Sequence, residues 1–205
     1  MSSITTIATT DNATPATTEL EVLFKAVKLA CVKALGIMMS NGISKSCLCA
    51  ALVASQILKH FDVKYTVKAG YSHVEGSEES LPHVWVETPS PIVGQPPLIT
   101  DLTFSGPYRK VIILNWNVGF HDDAMKAVYT DTPAFPPTPL SAKALPVAVL
   151  KQQCEHLDQY LLAAPAFVKE FVVDALRKAF DDSDKLTISG MAADVLTAGL
   201  PVEPM

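Results

Sequence analysis

The sequence predicts an α+β protein in which N-terminal helices pack on an antiparallel sheet and an additional helical part follows at the C-terminus. Apolar residues recur at helical spacing over residues 20–34, alternate with polar residues over 63–71, and return to a helical period after residue 147. The chain has 205 residues, of which 49% are hydrophobic. This length and composition suffice for one domain with a core of its own, without disulfide bonds to hold it together.

The first helix is predicted to run from Thr18 to about Gly36. Thr18 and Glu21 have the spacing of a capping box, in which two side chains satisfy free backbone N–H groups at the helix start. The apolar stripe of this helix includes Cys31, which we expect to be a core residue. Residues 1–17 lack the basic start and continuous apolar run of a secretory signal, and we expect a disordered tail there.

A second helix is predicted over residues 47–60, after a turn at Asn41 and a cap at Ser44 or Ser46. The following segment, 63–71, has an apolar residue at every odd position, which indicates a half-buried strand. Further short strands are predicted over residues 83–87, 98–104 and 111–114. A long loop is predicted over 121–146, which is rich in Pro, Thr and Asp, and loops of this length often form lids or binding surfaces. The later helices are predicted over residues 147–163, 166–180 and 188–198.

Charge and cysteine usage exclude several classes of protein. The net charge is −5, and the absence of a Lys or Arg block argues against a nucleic-acid partner or a membrane surface. The sequence has no uninterrupted apolar stretch long enough to span a bilayer. The chain has four cysteines and begins without a recognisable export signal, which favours free thiols in a reducing, cytoplasmic compartment.

Cys47 has the position of a nucleophile, at the first turn of the second helix. Free N–H groups and the helix dipole are expected there to lower the thiol pKa from about 8.5, and the same N–H groups can stabilise a tetrahedral intermediate. Cys49 lies about 200° further around the helix, so the two sulfurs cannot address the same partner. We therefore predict Cys47 as the nucleophile and Cys49 as a packing residue.

His83 and Asp101 are the predicted partners of that thiol. Side chains alternate along strands, and an antiparallel hairpin that pairs residue 87 with 97 also pairs 83 with 101. Cross-strand neighbours have Cβ atoms about 5 Å apart, which allows a carboxylate to orient an imidazole. The predicted chemistry is attack of Cys47 on an amide or ester carbonyl, followed by transfer of the acyl group to water or an amine. This chemistry needs no cofactor.

The same residues resemble the transglutaminase-like superfamily of papain-like cysteine enzymes. Cys47, Ala51 and Lys59 match the spacing of its nucleophile helix, although Asp62 stands where the family has a glycine. Residues 83–87, His-Val-Trp-Val-Glu, resemble its His-x-Trp-x-Glu strand, and the run from Thr100 to Thr103 resembles its Asp-x-Thr strand. A more distant similarity connects the segment after Asp101 with arylamine N-acetyltransferases.

The resemblance implies a catalytic core over residues 18–120, followed by the loop over 121–146 and by C-terminal helices over 147–205 that pack on the core. It implies a small-molecule or peptide acyl substrate, with water or an amine as acceptor. Asn41 has the spacing of an oxyanion-hole amide, although its position before Gly42 favours a plain turn role more strongly. Trp85 and Tyr71 are candidate walls of the substrate cleft, and packing alone is an equal explanation for both.

Two other interpretations stay open at this point. A non-catalytic interaction module that retains the fold and binds through its C-terminal helices would have no need of the three triad residues together. A metal site could draw on Cys47, Cys49, His60 or His73, but the paired spacing of a structural zinc site is missing, and we predict no metal.

Overall fold

A computed structural model of the chain describes residues 15–40, 47–74, 76–90, 94–103 and 127–180. Its fold is α+β, with helices packed against a curled antiparallel sheet of four strands in the order β3-β2-β1-β4. The helices are α1 (Pro15–Ser40), α2 (Cys47–His60), α3 (Val147–Glu155), α4 (Leu157–Ala163) and α5 (Ala166–Phe180), with a 3₁₀ turn at Ser141–Lys143. The strands are β1 (Thr66–Val74), β2 (Leu81–Thr88), β3 (Leu98–Thr100) and β4 (Ala127–Thr130).

Helix α2 lies at the centre of the fold. Every residue from Leu48 to Leu58 is buried except Gln56. The helix is covered on all sides because α1, α3, α4, α5 and strand β2 all contact it. A helix that is apolar all round is a core helix, and the predicted bounds of this one are confirmed. Its first residue, Cys47, is thereby held by the packing of the whole domain.

Helix α2 ends in two backbone hydrogen bonds from residues beyond the helix to carbonyls of its last turn. The Val63 N–H donates to the Leu58 carbonyl at 2.9 Å, and the Asp62 N–H donates to the Lys59 carbonyl at 3.1 Å. This is a Schellman motif, whose residue after the helix adopts a left-handed conformation that favours glycine. Asp62 takes that conformation, with φ 53°. The residue at the expected glycine position therefore performs the glycine's conformational role.

Helix α5 belongs to the same core as the N-terminal helices. Its predicted bounds are confirmed, and it packs on α1 and α2 through one apolar stripe. Cys31 of α1 lies in this core with 0% of its surface exposed, as predicted. The buried stripe of α5 consists of Phe171, Val172, Ala175, Leu176, Ala179 and Phe180.

Other sequence-predicted boundaries differ from the structure. Helix α1 begins at Pro15, so Thr18 is not its N-cap, and it continues to Ser40. The helix predicted over 147–163 is divided into α3 and α4 at His156, whose φ of −129° is not helical. Strand β1 begins three residues later than predicted, because the Val63 N–H donates a hydrogen bond to the last turn of α2. The predicted tail over residues 1–17 is wrong for residues 15–17, which belong to α1. The rest of that segment and the predictions for residues 111–114 and 188–198 lie outside the described residues.

The predicted loop over 121–146 is wrong in its first half, where residues 127–130 form β4 and pair with β1. The segment after β4 is fixed to the start of β2. The Ser80 Oγ accepts hydrogen bonds from the backbone N–H groups of Ala134 at 3.0 Å and Phe135 at 3.2 Å. The Thr138 hydroxyl donates to the Glu79 carboxylate. These anchors tie residues 134–138 to the sheet. In the described part of the chain, no helix has the length and apolar character needed to cross a membrane.

Gly36 in α1 is a position where a larger residue should stabilise the protein. It lies inside the helix and is exposed, and a Cβ built there would meet no atom within 4 Å. We expect Gly36→Ala to raise the free energy of unfolding by about 0.5–1 kcal/mol, because alanine loses less backbone entropy on forming a helix. Urea unfolding followed by circular dichroism measures the change.

Gly70 in β1 is the matched control for that substitution. A Cβ built at Gly70 would lie 2.5 Å from the Thr130 carbonyl oxygen and 2.8 Å from the Trp85 ring. Gly70→Ala should therefore lower the unfolding midpoint while Gly36→Ala raises it. An unchanged or lowered midpoint for Gly36→Ala would contradict the interpretation of that site as open helix surface.

Candidate active site

His83 and Asp101 form a buried pair at the edge between β2 and β3. The His83 Nε2 and the Asp101 Oδ2 lie 2.7 Å apart, and the two residues are 5% and 9% exposed. The predicted pairing register is wrong by two residues, because Glu87 pairs with Ile99 and not with residue 97. A shift of two residues keeps every side chain on its face. His83 and Asp101 are therefore diagonal neighbours, and the predicted contact between them is present.

Asp101 is held by three hydrogen bonds. Besides the contact with His83, its Oδ1 accepts the Thr103 backbone N–H at 2.8 Å, and its Oδ2 accepts the Tyr129 hydroxyl at 2.8 Å. The bond from Thr103 is an Asx turn, which ends β3 at Thr100 before the predicted residue 104. Burial by itself would raise the pKa of Asp101, but the charge of His83 and these hydrogen bonds lower the pKa below its usual value. The carboxyl group is thus ionised at neutral pH.

Tyr129 is a site residue that the sequence did not reveal. It lies on β4, opposite Ser72 of β1, within the segment predicted as a loop. Its ring centroid lies 6.0 Å from that of His83 and 5.0 Å from that of Trp85. Burial, the charge of Asp101 and the hydrogen bond to it raise the Tyr129 pKa well above its usual value, so the hydroxyl stays protonated and donates. The β-favouring run from Val128 to Thr130 was the available signal, but it is very short.

Cys47 lies beside the same part of β2. Its sulfur accepts hydrogen bonds from the backbone N–H groups of Leu48 and Val84. The pairing of β2 with β3 begins at Val86, two residues after Val84. The thiol is therefore next to the peptide bond that follows His83, and close enough to Asp101 for its negative charge to act on it. The Cys47 thiol, the backbone after His83 and the Asp101 carboxylate thus lie in one region, at the start of α2 and the end of β3.

The predicted lowering of the Cys47 pKa is wrong. Burial, followed by the charge of Asp101, raises the pKa of this thiol to about 12. The hydrogen bonds from Val84 and Leu48 act in the opposite direction, but burial outweighs them. The resting thiol is therefore protonated at neutral pH. A reactive sulfur at this position therefore requires a base to take its proton during the reaction.

The other cysteines have different surroundings, and all four are free thiols. Cys49 is 1% exposed, and its sulfur lies 3.9 Å from the Tyr160 hydroxyl, which confirms it as a buried packing residue. Cys154 is partly buried on α3. Burial, with a smaller effect of Glu155, raises the Cys154 pKa to about 11, which is below that of Cys47.

The remaining predicted site residues are not all brought to the triad. Trp85 shares a face with His83, but it is 3% exposed, and its indole N–H donates to Glu87 at 3.0 Å. Its ring lies over Gly70, where a Cβ would collide with it. Tyr71 lies on the opposite face of the sheet, because it is Gly70 that pairs with His83. Asn41, the predicted oxyanion-hole residue, lies outside the described residues.

Other potential sites lie apart from this one. Among the described residues, no group of three or more His, Cys, Asp or Glu side chains is arranged to hold a metal ion. A surface pocket of about 470 Å³ lies at the opposite end of α2 from Cys47, lined in part by Lys59, Lys64 and Tyr65. The length of α2 places it about 18 Å from the thiol, so this pocket is not the site of the triad.

Comparison of this chain with protein-family models, curated proteins and solved structures found no match. Any assignment of chemistry therefore rests on the geometry of the site itself.

Proposed function

We propose that this chain is a cysteine enzyme that transfers acyl groups, or hydrolyses amides or esters, through a thioester intermediate. Cys47 is the nucleophile, His83 the general base and Asp101 the carboxylate that orients the base. We further propose that residues 18–120 belong to a transglutaminase-like core, as their sequence resemblance implies, and that β4 completes the sheet of that core. The observation that carries the proposal is the buried His83–Asp101 pair beside the Cys47 thiol.

The geometry of the pair favours a catalytic role over a packing role. A buried ion pair contributes little net stability compared with apolar residues of similar volume, so stability alone does not explain it. The Asp101 carboxylate is ionised and accepts only, so the His83 Nε2 carries the proton of their hydrogen bond. In the neutral imidazole this leaves Nδ1 without a proton. Nδ1 is then the nitrogen that can accept the proton of a neighbouring thiol.

The reaction begins from a protonated thiol, since the Cys47 pKa is about 12. The His83 Nδ1 takes the thiol proton as the sulfur attacks the substrate carbonyl, and then gives that proton to the departing amine or alcohol. Water or an amine next loses a proton to Nδ1 and attacks the thioester carbonyl. The bond between the acyl carbon and the sulfur then breaks, and Nδ1 returns the proton to the Cys47 sulfur. Proton transfer of this kind contributes about 10²- to 10⁴-fold to the rate. The Val84 and Leu48 N–H groups stabilise negative charge on the sulfur when it leaves.

The order in which the cysteines react with iodoacetamide tests this assignment. By pKa alone, Cys154 at about 11 should react before Cys47 at about 12. If His83 removes the Cys47 proton, the order is reversed, and Cys47 should be alkylated first at pH 7.5. Peptide mass spectrometry at successive times measures the rate at each cysteine.

His83→Gln and Cys49→Ala are the paired variants for this experiment. We expect His83→Gln to remove the advantage of Cys47, so that Cys154 reacts first, whereas Cys49→Ala keeps the wild-type order. Alkylation of Cys154 before Cys47 in the wild-type protein would contradict the proposal, as would a Cys47 preference that survives His83→Gln. Slow and equal labelling of all cysteines would instead favour the non-catalytic interaction module.

A further inference from the structure

The hydrogen bond between Tyr129 and Asp101 joins the two opposite edges of the sheet. Strand β4 is one edge strand and β3 is the other. In a flat sheet of this width the edge strands would lie about 14 Å apart, because neighbouring strands are about 4.8 Å apart. The Tyr129 hydroxyl nevertheless lies 2.8 Å from the Asp101 Oδ2. The curl of the sheet brings them together, so the bond crosses the concave face on which His83 lies.

Tyr129 and His83 both bind the same oxygen of Asp101. The Oδ2 is 2.7 Å from the His83 Nε2 and 2.8 Å from the Tyr129 hydroxyl, while the Oδ1 accepts the Thr103 N–H. With donors on both oxygens, the carboxylate cannot rotate without breaking a charge-assisted hydrogen bond. The Tyr129 ring also lies beside the His83 ring, at a centroid distance of 6.0 Å. Tyr129 thus fixes the orientation of the Asp101 carboxylate and, through that carboxylate, the orientation of the His83 imidazole.

We propose that Tyr129 is a positioning residue, which holds the Asp101 carboxylate so that its Oδ2 keeps the proton of His83 on Nε2. The consequence for Cys47 rests on the proposed function, since it requires Nδ1 to act as the base. The effect on the imidazole tautomer does not depend on any catalytic activity. The tautomer of His83 and the reactivity of Cys47 can therefore be tested separately in one set of variants.

The substitution Tyr129→Phe removes the hydroxyl and keeps the ring. The tautomer of His83 is read from nitrogen NMR of the labelled protein at a pH where the imidazole is neutral, with the His83 signals assigned by their loss in His83→Gln. We expect the Nε2–H tautomer to dominate in the wild-type protein and a mixture of both tautomers to be present in Tyr129→Phe. Alkylation of Cys47 by iodoacetamide should slow about tenfold, a change typical of losing one hydrogen bond to a charged group, while Cys154 is unaffected.

Tyr71→Phe is the matched control, because Tyr71 lies on the same sheet but on the face opposite His83. It should leave both the tautomer and the alkylation rates unchanged. A folded Tyr129→Phe protein with the wild-type tautomer would overturn the inference. The tautomer could instead change in Tyr129→Phe while Cys47 is alkylated at the wild-type rate in both Tyr129→Phe and His83→Gln. That result would support the positioning role and contradict the proposed function.

The wild-type protein offers a second measurement should Tyr129→Phe not fold. A tyrosine hydroxyl that donates to a buried carboxylate exchanges slowly with water, so its proton should be visible by NMR at low temperature. We expect that proton to show a cross-peak to the His83 ring, as their proximity requires. Absence of a slowly exchanging hydroxyl proton on Tyr129 would overturn the inference without any variant.

Discussion

Cys47→Ala is expected to abolish the acylation of this protein by an activated ester such as p-nitrophenyl acetate. Under the proposed function the Cys47 sulfur forms the thioester, and removing a catalytic nucleophile typically lowers the rate by a factor on the order of 10³ or more. The release of p-nitrophenolate measures the burst of acylation. Mass spectrometry of peptides from the stopped reaction identifies the acylated residue, and addition of an amine shows whether the acyl group is transferred or hydrolysed.

Cys49→Ala and Cys154→Ala are the controls for that experiment. Cys49 is 1% exposed and contacts Tyr160, so its replacement should keep most of the burst. Cys154→Ala should also keep the burst, since Cys154 lies outside the proposed triad. A burst that persists in Cys47→Ala and disappears in Cys49→Ala would reverse the choice of nucleophile. A burst that disappears only in Cys154→Ala would show that exposure and pKa alone determine the reacting thiol.

The meeting of His83 with Asp101 was predictable because strand periodicity is robust. Side chains alternate with a period of two, so a register error of two residues leaves both residues on the same face. The register itself was not predictable. The connection between β2 and β3 is longer than the tight turns that determine pairing, so nothing local selects the partner of Glu87. Helix α2 was predictable because its composition, its start and its end are all local signals.

The surroundings of the triad depend on contacts that the sequence does not indicate. Tyr129 reaches Asp101 only because the sheet curls, and β4, on which Tyr129 lies, is a strand of four residues. The helix start at Cys47 correctly indicated N–H groups near the sulfur, as the bond from Leu48 shows. The net pKa instead follows from burial, which depends on how distant elements pack around the start of α2. Local reasoning therefore gave the position of the thiol and the wrong direction for its pKa.

Asp101→Ala is expected to cause a large loss of stability. The substitution leaves the Nε2–H of buried His83, the Tyr129 hydroxyl and the Thr103 N–H without their acceptor. Removing one partner of a buried charged pair typically costs about 3–5 kcal/mol in the free energy of unfolding. Urea unfolding at pH 7, followed by circular dichroism, measures this loss. Asp174→Ala is the matched control, because Asp174 forms an exposed ion pair with Arg177 and its loss should cost only about 0.5 kcal/mol.

The pH dependence of this loss separates the charge of Asp101 from the volume of its side chain. The pKa of Asp101 is lowered in the folded protein, whereas the unfolded chain has a value of about 3.9. The stabilisation from its charge is therefore complete above about pH 3.9 and is lost as the pH falls from there towards the folded pKa. The free energy of unfolding of Asp101→Ala should accordingly fall below that of the wild-type protein by the full amount at pH 7 and by a smaller amount at pH 3. A difference of the same size at both pH values would mean that the carboxylate stabilises the fold by packing alone, and that its pairing with His83 is not an electrostatic one.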